Sequence, residues 1–322
     1  MKAMIQEHYG SAQELRLAEV ERPRIGDGDV LIRVRAAGVN PADWAIMSGL
    51  PYIARPVYGL RTPHVGVRGT DVAGEIETVG ANVTRFRAGD EVFGWCTGAF
   101  AEYACAREDA LEPRPANLTF EQAAAVPMAG LVALQALRDQ GRLRGGQKVL
   151  INGASGGIGT FAVQIAKVLG AHVTGVCGTS NLDLVRSIGA DQVIDYSHVD
   201  FTKTDERYDF ILDNVGNHSL SDLRRVLAPA GTLVPNAGGF ENHWLAGGGR
   251  VVSALVMSRF VSQTLRPFLV SPTRRDLVAL RELLEAGEVR PVIERTYPLS
   301  QTPLAIDHVG AGHTRGKVAI TV

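Results

Sequence analysis

The sequence predicts an α/β protein of two domains, one rich in short β-strands and one built on a doubly wound parallel sheet. Between Val30 and Arg107, short apolar runs alternate with turn residues, as in a compact β-rich unit. After about residue 120, apolar strands instead alternate with helical patterns, which is typical of a parallel sheet covered on both faces. A chain of 322 residues also exceeds what one hydrophobic core usually supports.

The β-rich domain is predicted from four apolar runs, VLIRVRAAGVN, DVAGEIETVG, DEVFGW and AFAEYACA. The glycines in and between these runs suit the turns and bends of a barrel-like sheet. Near the end of the chain, RRDLVALRELLEAG is predicted to be a helix. PVIERTYPL and KVAITV are predicted to be strands that return to the β-rich domain.

The parallel-sheet domain begins with an Ala- and Leu-rich helical pattern, FEQAAAVPMAGLVALQALRDQ. The predicted strands that follow are KVLIN, HVTGVC, QVID, YDFILDNV and TLVPNA, and the predicted helices between them are GIGTFAVQIAKVLG, LDLVRSIG and LSDLRRVL. Residues 237–265 are predicted to form a loop and then a helix packed between domains or subunits. A substrate lid is the alternative for this segment.

The composition favours a folded protein that acts on small molecules. Hydrophobic residues make up 45% of the chain and charged residues 21%, which excludes a disordered chain. A net charge of -1 provides no basic face for nucleic acid or for an anionic membrane. The three cysteines form no CxxC pair, and no stretch approaches the length of a membrane span. We therefore expect a cytoplasmic protein.

A glycine motif follows the strand KVLIN directly and opens the next helix. Ala154 takes the first glycine position of the dinucleotide fingerprint, Gly156 the position where the backbone approaches the pyrophosphate, and Gly159 the position where the helix packs on the strand. The free N–H groups and the positive end of the helix dipole favour phosphates. The sequence thus predicts a Rossmann domain that binds a dinucleotide through Ala154, Ser155, Gly156, Gly157 and Ile158.

The end of the second strand of this domain favours NADPH over NADH. An NAD-selective site usually has an acid there for the ribose 2′-hydroxyl, whereas this sequence has Gly178, Thr179 and Ser180. We expect the hydroxyls of Thr179, Ser180 and Tyr196 around the 2′-phosphate, although each of these residues also suits a capping or surface position.

Six motifs are spread over essentially the whole chain: AAGVNPADW, GTDVAGEIETVG, FRAGDEVFG, GAFAEYA, LINGASGGIGTFAVQIAKVLGA and the final GKVAITV. Together they resemble the motifs of the zinc-independent, quinone oxidoreductase-like branch of the medium-chain dehydrogenase/reductase superfamily. This resemblance implies a GroES-like catalytic domain at residues 1–122 and 266–322, and an NADP-binding Rossmann domain inserted at residues 123–265. It also implies a homodimer formed through the Rossmann domain.

Zinc alcohol dehydrogenases of the same superfamily hold their catalytic metal with a cysteine, a histidine beside a glutamate, and a second cysteine. The matching positions here are Asn40, Thr70 with Asp71, and Val126 with Pro127, so we expect no zinc. No metal would then polarise an alcohol. The expected reaction is therefore hydride transfer from NADPH to a substrate that is already electrophilic, a quinone or an α,β-unsaturated carbonyl compound.

The resemblance also implies which residues border the substrate. Asn40 and Pro41 are expected beside the nicotinamide, where the Asn40 side chain would donate a hydrogen bond to a carbonyl oxygen; a turn residue that ends the strand is the alternative for Asn40. Tyr52 is expected to orient the carbonyl or to pass a proton, with Tyr58 or His64 as alternatives because this loop is longer than is usual in the family. Water is the remaining candidate for the proton donor.

Further cofactor contacts are expected after two later strands, where the family's backbone borders the ribose and nicotinamide: Asn214, Val215, Gly216, Asn236, Ala237 and Gly238. Lys317 resembles a residue near the cofactor, and a surface lysine is its alternative. Two positions depart from the family. Val132 stands where relatives often have threonine, and Ser180 stands where close relatives have arginine, which weakens the expected grip on the 2′-phosphate.

Two other functions stay open from the sequence. One is a non-catalytic sensor or binding module that binds NADPH, because a fold does not fix a function. The other is a dehydrogenase that acts on alcohols or aldehydes, against which the missing zinc ligands argue.

Overall fold

The computed structural model of the chain describes residues 1–63, 66–236 and 248–322. It divides into two compact units: unit 1 contains Met1–Leu131, Pro272–Gly287 and Pro291–Val322, and unit 2 contains Val132–Ser271 and Glu288–Arg290. The domain boundaries 1–122, 123–265 and 266–322 stay a prediction. Within the described residues, no helix combines the length and the apolar character needed to cross a membrane.

The strands, in chain order, are β1 (Lys2–Gln6), β2 (Leu15–Glu19), β3 (Asp29–Val39), β4 (Asp71–Val79), β5 (Glu91–Trp95), β6 (Tyr103–Arg107), β7 (Leu111–Pro113), β8 (Lys148–Asn152), β9 (His172–Cys177), β10 (Gln192–Asp195), β11 (Tyr208–Asp213), β12 (Leu227–Pro235), β13 (Thr264–Leu265), β14 (Ile293–Pro298) and β15 (Lys317–Thr321). The α-helices are α1 (Pro41–Ser48), α2 (Arg55–Tyr58), α3 (Phe120–Ala124), α4 (Pro127–Leu134), α5 (Gly157–Val168), α6 (Leu182–Ser187), α7 (Leu220–Arg225), α8 (Gly248–Met257), α9 (Arg274–Glu285) and α10 (Thr302–Gly310).

Unit 1 is the predicted β-rich unit, and its main sheet brings three strand ends together. The strand order is β14-β15-β3-β4-β5-β7, with β6 also paired to β3, so the predicted return of the C-terminal strands is confirmed. β3 runs antiparallel to β15 and to β4, which sets Val39 opposite Val318 and Gly38 opposite Asp71. The end of β3 and the starts of β4 and β15 therefore lie at one end of this sheet.

Unit 2 contains the predicted doubly wound sheet. Its strand order is β10-β9-β8-β11-β12-β13, and every pairing is parallel. The chain runs outward from β8 to β10 and then returns to β11, which places the topological switch point between β8 and β11. The registers align Asn152 with Val176 and with Asp213, so the carboxyl ends of the central strands lie at one edge, where such sheets bind ligands.

The structure differs from the sequence prediction in several helices. The helical pattern from Phe120 is divided into α3 and α4, and a π-helical segment, Gln135–Gln140, follows α4. The division falls at Pro127, whose ring favours the first turn of a new helix over the middle of a continuous one. Helices α1 and α10, which the sequence did not predict, contact each other closely, since a Cβ on Gly310 would lie 2.3 Å from the Trp44 ring.

The segment predicted as a loop and a helix contains α8. Ala254 of this helix is buried, whereas Val252, Leu255 and Val256 are exposed. Residues 237–247, which include Ala237 and Gly238, lie outside the described residues, and so does His64. The choice between a packed helix and a substrate lid stays a prediction.

Candidate functional site

The turn between β8 and α5 has the geometry of a nucleotide-binding turn. Gly153 has φ of +79°, which only glycine adopts without strain, and the N–H of Ala154 donates to the Val176 carbonyl at 2.9 Å. A Cβ on Gly159 would lie 2.0 Å from the Gly153 carbonyl oxygen, which agrees with the expected close packing of helix on strand. The fold itself therefore requires glycine at these two positions.

Gly156 is different, because nothing in the described chain requires a glycine there. It is the N-cap of α5 with φ of -79° and ψ of 177°, a conformation open to any residue. A Cβ on Gly156 would lie 3.5 Å from its nearest neighbour, the Gly153 carbonyl oxygen, which is an ordinary contact. The space at Gly156, beside the free N–H groups of the first turn that contains Gly157 and Ile158, fits the pyrophosphate of a dinucleotide.

The ends of β9 and β10 bring together the residues expected around the 2′-phosphate. A Cβ on Gly178 would lie 3.2 Å from the Tyr196 hydroxyl, and Thr179, Ser180 and Tyr196 are all exposed. The structure adds Asp195, the last residue of β10, which accepts a hydrogen bond from the Thr179 hydroxyl at 2.6 Å.

The Asp195 carboxylate is held by donors of its own chain. The hydroxyl of Ser197 donates to it at 2.6 Å and the N–H of Ser197 at 2.9 Å. These bonds, led by the Ser197 hydroxyl and followed by Thr179, hold the pKa of Asp195 below its usual range, so the group is anionic. The end of the second strand of this sheet, β9, has no acid, and the acid beside Thr179 instead ends the third strand, β10.

The ends of β11 and β12 carry a linked pair of asparagines. Asn236 Nδ2 donates to Asn214 Oδ1 at 2.9 Å, while Asn214 Nδ2 is buried and has no partner within the described residues. A buried donor without a partner is costly and is a feature of ligand sites. The backbone N–H of Gly216 donates to Asp213 Oδ1 at 3.0 Å, and Val215 is exposed beside it. This edge therefore retains a donor for a ligand.

An ion pair that the sequence analysis missed supports this edge. Asp213 is fully buried, accepts a hydrogen bond from Asn152 Nδ2 at 2.8 Å, and pairs with the guanidinium of Arg250. Arg250 also donates to the His218 carbonyl at 2.6 Å. No sequence pattern indicates this pair, because Arg250 lies in a glycine-rich segment far from the end of β11 along the chain.

In unit 1, Asn40, Asp71 and Lys317 form a buried hydrogen-bonded chain. Lys317 Nζ donates to Asn40 Oδ1 at 2.6 Å and to the Val39 carbonyl at 3.0 Å. Asn40 Nδ2 donates to Asp71 Oδ2 at 3.0 Å, and the N–H of Met128 donates to the same oxygen at 3.2 Å. All three side chains are buried, whereas Pro41, which begins α1, is exposed. Asn40 is therefore more than a turn residue, since its side chain links the carboxyl group of Asp71 to the amine of Lys317.

Two further charged residues border this chain of hydrogen bonds. Asp43 accepts a hydrogen bond from the N–H of Asn40 at 2.8 Å, and burial raises the pKa of Asp43 to about 7. Burial also raises the pKa of Asp71 and lowers that of Lys317. Arg68, whose guanidinium donates to Gln6 at 2.7 Å, is nearly buried and acts on Asp43 electrostatically. Two buried carboxyl groups and two buried basic side chains therefore lie close to Asn40.

Tyr52 lies in a short 3-10 turn, Tyr52–Ala54, and is 37% exposed. The guanidinium carbon of Arg55 lies 4.7 Å from the centre of the Tyr52 ring and 4.8 Å from that of Tyr9. The Tyr9 hydroxyl donates to the Gly59 carbonyl at 2.7 Å, which ties this loop to the N-terminal segment. The catalytic role of Tyr52 stays a prediction.

Metal-ligating side chains do not cluster in the part of the chain that the structure describes. Within residues 1–63, 66–236 and 248–322, no three His, Cys, Asp or Glu side chains lie close enough together to hold a metal ion. At Asn40, Thr70, Asp71, Val126 and Pro127, the expected counterparts of the zinc ligands, Asp71 is the only residue with a carboxylate or thiolate donor, and Asn40 and Met128 already bind its Oδ2.

Two family models match the sequence. The Alcohol dehydrogenase GroES-like domain matches residues 26–116, and the Zinc-binding dehydrogenase domain matches residues 188–320.

Similar proteins extend over nearly the whole chain. The mitochondrial NAD(P)H oxidoreductase RTN4IP1 of Bos taurus is 36% identical, with 100% of this chain and 89% of the relative covered. The chloroplast envelope quinone oxidoreductase homolog of Arabidopsis thaliana is 33% identical, with 97% and 95% covered. Among solved structures, the quinone oxidoreductase of Coxiella burnetii has a TM-score of 0.88 at 29% identity, with 100% and 99% covered.

Proposed function

The chain belongs to the quinone oxidoreductase-like branch of the medium-chain dehydrogenase/reductase superfamily, and on that premise we propose that it transfers hydride from NADPH to a quinone or an α,β-unsaturated carbonyl compound without zinc. The predicted fold class, a GroES-like β-rich domain with a doubly wound Rossmann domain, is confirmed. The names of the relatives, an NAD(P)H oxidoreductase and a quinone oxidoreductase homolog, support the class of reaction.

The observation that carries the proposal is the space at Gly156. The fold explains the glycines at 153 and 159, but leaves the one at 156 unexplained unless a ligand occupies the position of a Cβ. The free N–H groups that begin α5 make an anionic ligand the best occupant. Asn214 Nδ2, buried without a partner in the described residues, supplies a further donor at the same edge of the sheet.

Each site has a distinct task in the proposed reaction. The turn at Ala154, Ser155 and Gly156 holds the pyrophosphate, and the backbone after β11 and β12 borders the ribose and nicotinamide. When bound, NADPH supplies the hydride. In unit 1, Asn40 donates a hydrogen bond to the substrate's carbonyl oxygen, where negative charge develops during reduction. Tyr52 or water provides the proton that completes the product.

Zinc independence is supported by the donor chemistry around Asn40. Val126 and Pro127 have no side-chain donor for zinc, and Asn40 replaces a cysteine. A quinone or an enone accepts hydride without a metal, whereas oxidation of an alcohol on this scaffold would need one to polarise the oxygen. The alternative of an alcohol or aldehyde dehydrogenase is therefore disfavoured.

The preference for NADPH is supported by Gly178, Thr179 and Ser180 at the end of β9, which offer no carboxylate to repel a 2′-phosphate. Asp195 lies beside Thr179 and accepts hydrogen bonds from Thr179 and Ser197; its carboxylate is anionic, so its charge opposes a 2′-phosphate and reduces the preference for NADPH.

We further propose a homodimer formed through unit 2, where α8 exposes Val252, Leu255 and Val256. A cytoplasmic location stays a proposal, since the bovine relative is mitochondrial and the Arabidopsis relative belongs to the chloroplast envelope.

A spectrophotometric assay of NADPH and NADH oxidation by chelator-treated protein tests this function. A quinone, an enone and a saturated aldehyde are compared as acceptors in one buffer. We expect turnover with the quinone or the enone, a preference for NADPH, and no loss of activity after metal removal. Cofactor binding without acceptor-dependent oxidation would instead support the non-catalytic sensor. Activity that appears only after zinc is added, with the aldehyde preferred, would support the alcohol or aldehyde dehydrogenase.

A further inference from the structure

The side-chain amide of Asn40 is hydrogen-bonded at both ends, its oxygen to Lys317 and its nitrogen to Asp71. The ammonium of Lys317 has only donors, so the Asn40 atom 2.6 Å away is an oxygen. Asp71 Oδ2 already accepts a hydrogen bond from the N–H of Met128, so the Asn40 atom 3.0 Å away is a nitrogen that donates to the same oxygen. An asparagine amide is otherwise free to present either atom in either direction. Here the two neighbours leave one orientation.

That orientation leaves one hydrogen-bond donor unused. Asn40 Nδ2 carries two hydrogens, of which one is directed to Asp71 Oδ2. The second has no acceptor in the described part of the chain. Because the amide is planar, its direction is fixed once the bonds to Lys317 and Asp71 are made.

Burial of the Lys317 side chain is unfavourable in free energy, so packing alone does not explain why a lysine occupies this position. The residue is 3% exposed, and the desolvation of a buried ammonium costs several kcal/mol unless the charge is paired. Lys317 bonds to two neutral oxygens, those of Val39 and Asn40. An apolar residue of similar volume would avoid the cost. Asp71 likewise keeps Oδ1 buried without a partner among the described residues. Such unsatisfied groups are common where function determines the residue.

We propose that Lys317 and Asp71 are positioning residues that lock the Asn40 amide and thereby present its second Nδ2 hydrogen to the substrate's carbonyl oxygen. The proposal rests on the proposed function, because it explains how Lys317 and Asp71 orient the Asn40 donor for that reaction. It differs from the cofactor contact that the family resemblance implies for Lys317, because the Lys317 ammonium is engaged with Val39 and Asn40 in unit 1 itself.

A double-mutant cycle in kcat tests the proposal. The variants are Lys317→Met, Asn40→Ala and the double variant, with the exposed Lys203→Met as a matched control. Removing one donor of this kind lowers kcat by about 100- to 1000-fold in other enzymes. We expect a loss of at least about tenfold for Lys317→Met, with its Kd for NADPH within about twofold of wild type. Because Lys317 acts through Asn40, the double variant should lose no more than Asn40→Ala alone.

The control and a conservative pair complete the cycle. Lys203→Met should keep wild-type kcat. Asp71→Asn retains an oxygen that accepts from Asn40 Nδ2, so it should keep more activity than Asp71→Ala. The proposal would be overturned if the losses in kcat of the two single variants multiplied in the double variant. A tenfold higher Kd for NADPH in Lys317→Met would also overturn it, because it would indicate that Lys317 contacts the cofactor.

A readout independent of turnover separates this proposal from the proposed function. In protein with 15N-labelled asparagine, we expect one Asn40 side-chain hydrogen to be protected from solvent exchange through its bond to Asp71. This protection should decrease in Lys317→Met. Unchanged protection would refute the locking of the amide even if the enzyme is active. If the wild-type protein reduces no acceptor but the Asn40 side-chain hydrogen is less protected in Lys317→Met than in wild type, the proposed function is refuted. The positioning of Asn40 by Lys317 is then retained.

Discussion

Replacing Gly156 by alanine separates the demands of the cofactor from those of the fold. The backbone at Gly156 is open to alanine, and the added Cβ meets only the Gly153 carbonyl at 3.5 Å. Alanine is a poorer N-cap than glycine by about 0.5–1 kcal/mol. The lower entropy of the unfolded chain offsets this loss by about 0.4–1 kcal/mol. We therefore expect the free energy of unfolding to change by less than about 1 kcal/mol.

Binding should respond much more strongly to the same methyl group. The Cβ occupies the space into which a pyrophosphate would approach α5, and overpacking by one carbon typically costs about 1–3 kcal/mol. At about 1.4 kcal/mol per tenfold change, this cost corresponds to a Kd for NADPH that is roughly 5- to 150-fold higher. Calorimetric titration with NADPH and urea denaturation of the same preparations measure the two quantities.

Gly159→Ala is the matched control, because its Cβ would overlap backbone atoms of Gly153 and Ala154 at 2.0 and 2.8 Å. The helix must shift to accept it, so we expect a loss of stability of about 3 kcal/mol or more. A Gly156→Ala protein that binds NADPH as tightly as wild type would refute the assignment of this turn to the pyrophosphate. A large loss of stability in Gly156→Ala would show that the fold, rather than the ligand, requires the glycine.

Three further predictions concern charges. Ser180→Arg places a cation where close relatives carry one. The kcat/KM ratio of NADPH to NADH should rise by about tenfold, as expected for a charge-assisted hydrogen bond of about 1.5 kcal/mol. An unchanged ratio would contradict the placement of the 2′-phosphate. The pKa of Asp43 is raised from 3.8 to about 7 in the folded protein. Between about pH 4 and pH 7 the folded protein therefore keeps a proton that the unfolded chain releases, and the free energy of unfolding falls as the pH rises through this range. Asp43→Asn should remove up to about 1.4 kcal/mol of this decline per pH unit, measured by urea denaturation at several pH values, and identical pH dependence in both proteins would contradict the raised pKa. Arg250→Ala leaves the buried Asp213 carboxylate without its cation and should lower the free energy of unfolding by about 3 kcal/mol, whereas a change below about 1 kcal/mol would show that the pair contributes little.

The sequence predicted unit 2 well because its signals are local. Each central strand is a short, uniformly apolar run, and the glycine motif stands directly between a strand and a helix. The predicted order of strands and helices from KVLIN to TLVPNA agrees with β8 to β12. Asp195 was missed because a single acid at the end of a short strand looks like an ordinary turn residue. Its bond to Thr179 depends on the pairing of β9 with β10.

The cluster around Asn40 was harder to predict because its members are distant along the chain. Asn40 and Lys317 are joined by a bond that spans 277 positions, and this bond depends on the register that sets Val39 opposite Val318. The sequence suggested Asn40 from the family resemblance, but left Lys317 as a cofactor contact or a surface lysine. Periodicity alone does not report which strand ends of an antiparallel sheet meet.

The loop around Tyr52 illustrates a different limit. Its segment contains a 3-10 turn and the short helix α2, and the Arg55 guanidinium lies over the rings of both Tyr9 and Tyr52. Contacts such as those of the Arg55 guanidinium with the Tyr9 and Tyr52 rings, at 4.8 and 4.7 Å from the ring centres, arise from individual side chains rather than from a repeating pattern. The sequence therefore predicted a candidate residue but no conformation.

Transfer of deuterium from nicotinamide C4 of labelled NADPH to an enone tests whether this protein transfers hydride directly from the cofactor to the substrate. Purified wild-type protein is incubated with each C4-deuterated epimer of NADPH and the enone, and the product is analysed by mass spectrometry and NMR. Direct hydride transfer should place one deuterium at the product's β-carbon from one of the two epimers. A reduced product without deuterium from either epimer, or no reduced product from the enone or from a quinone, would contradict direct hydride transfer by this protein.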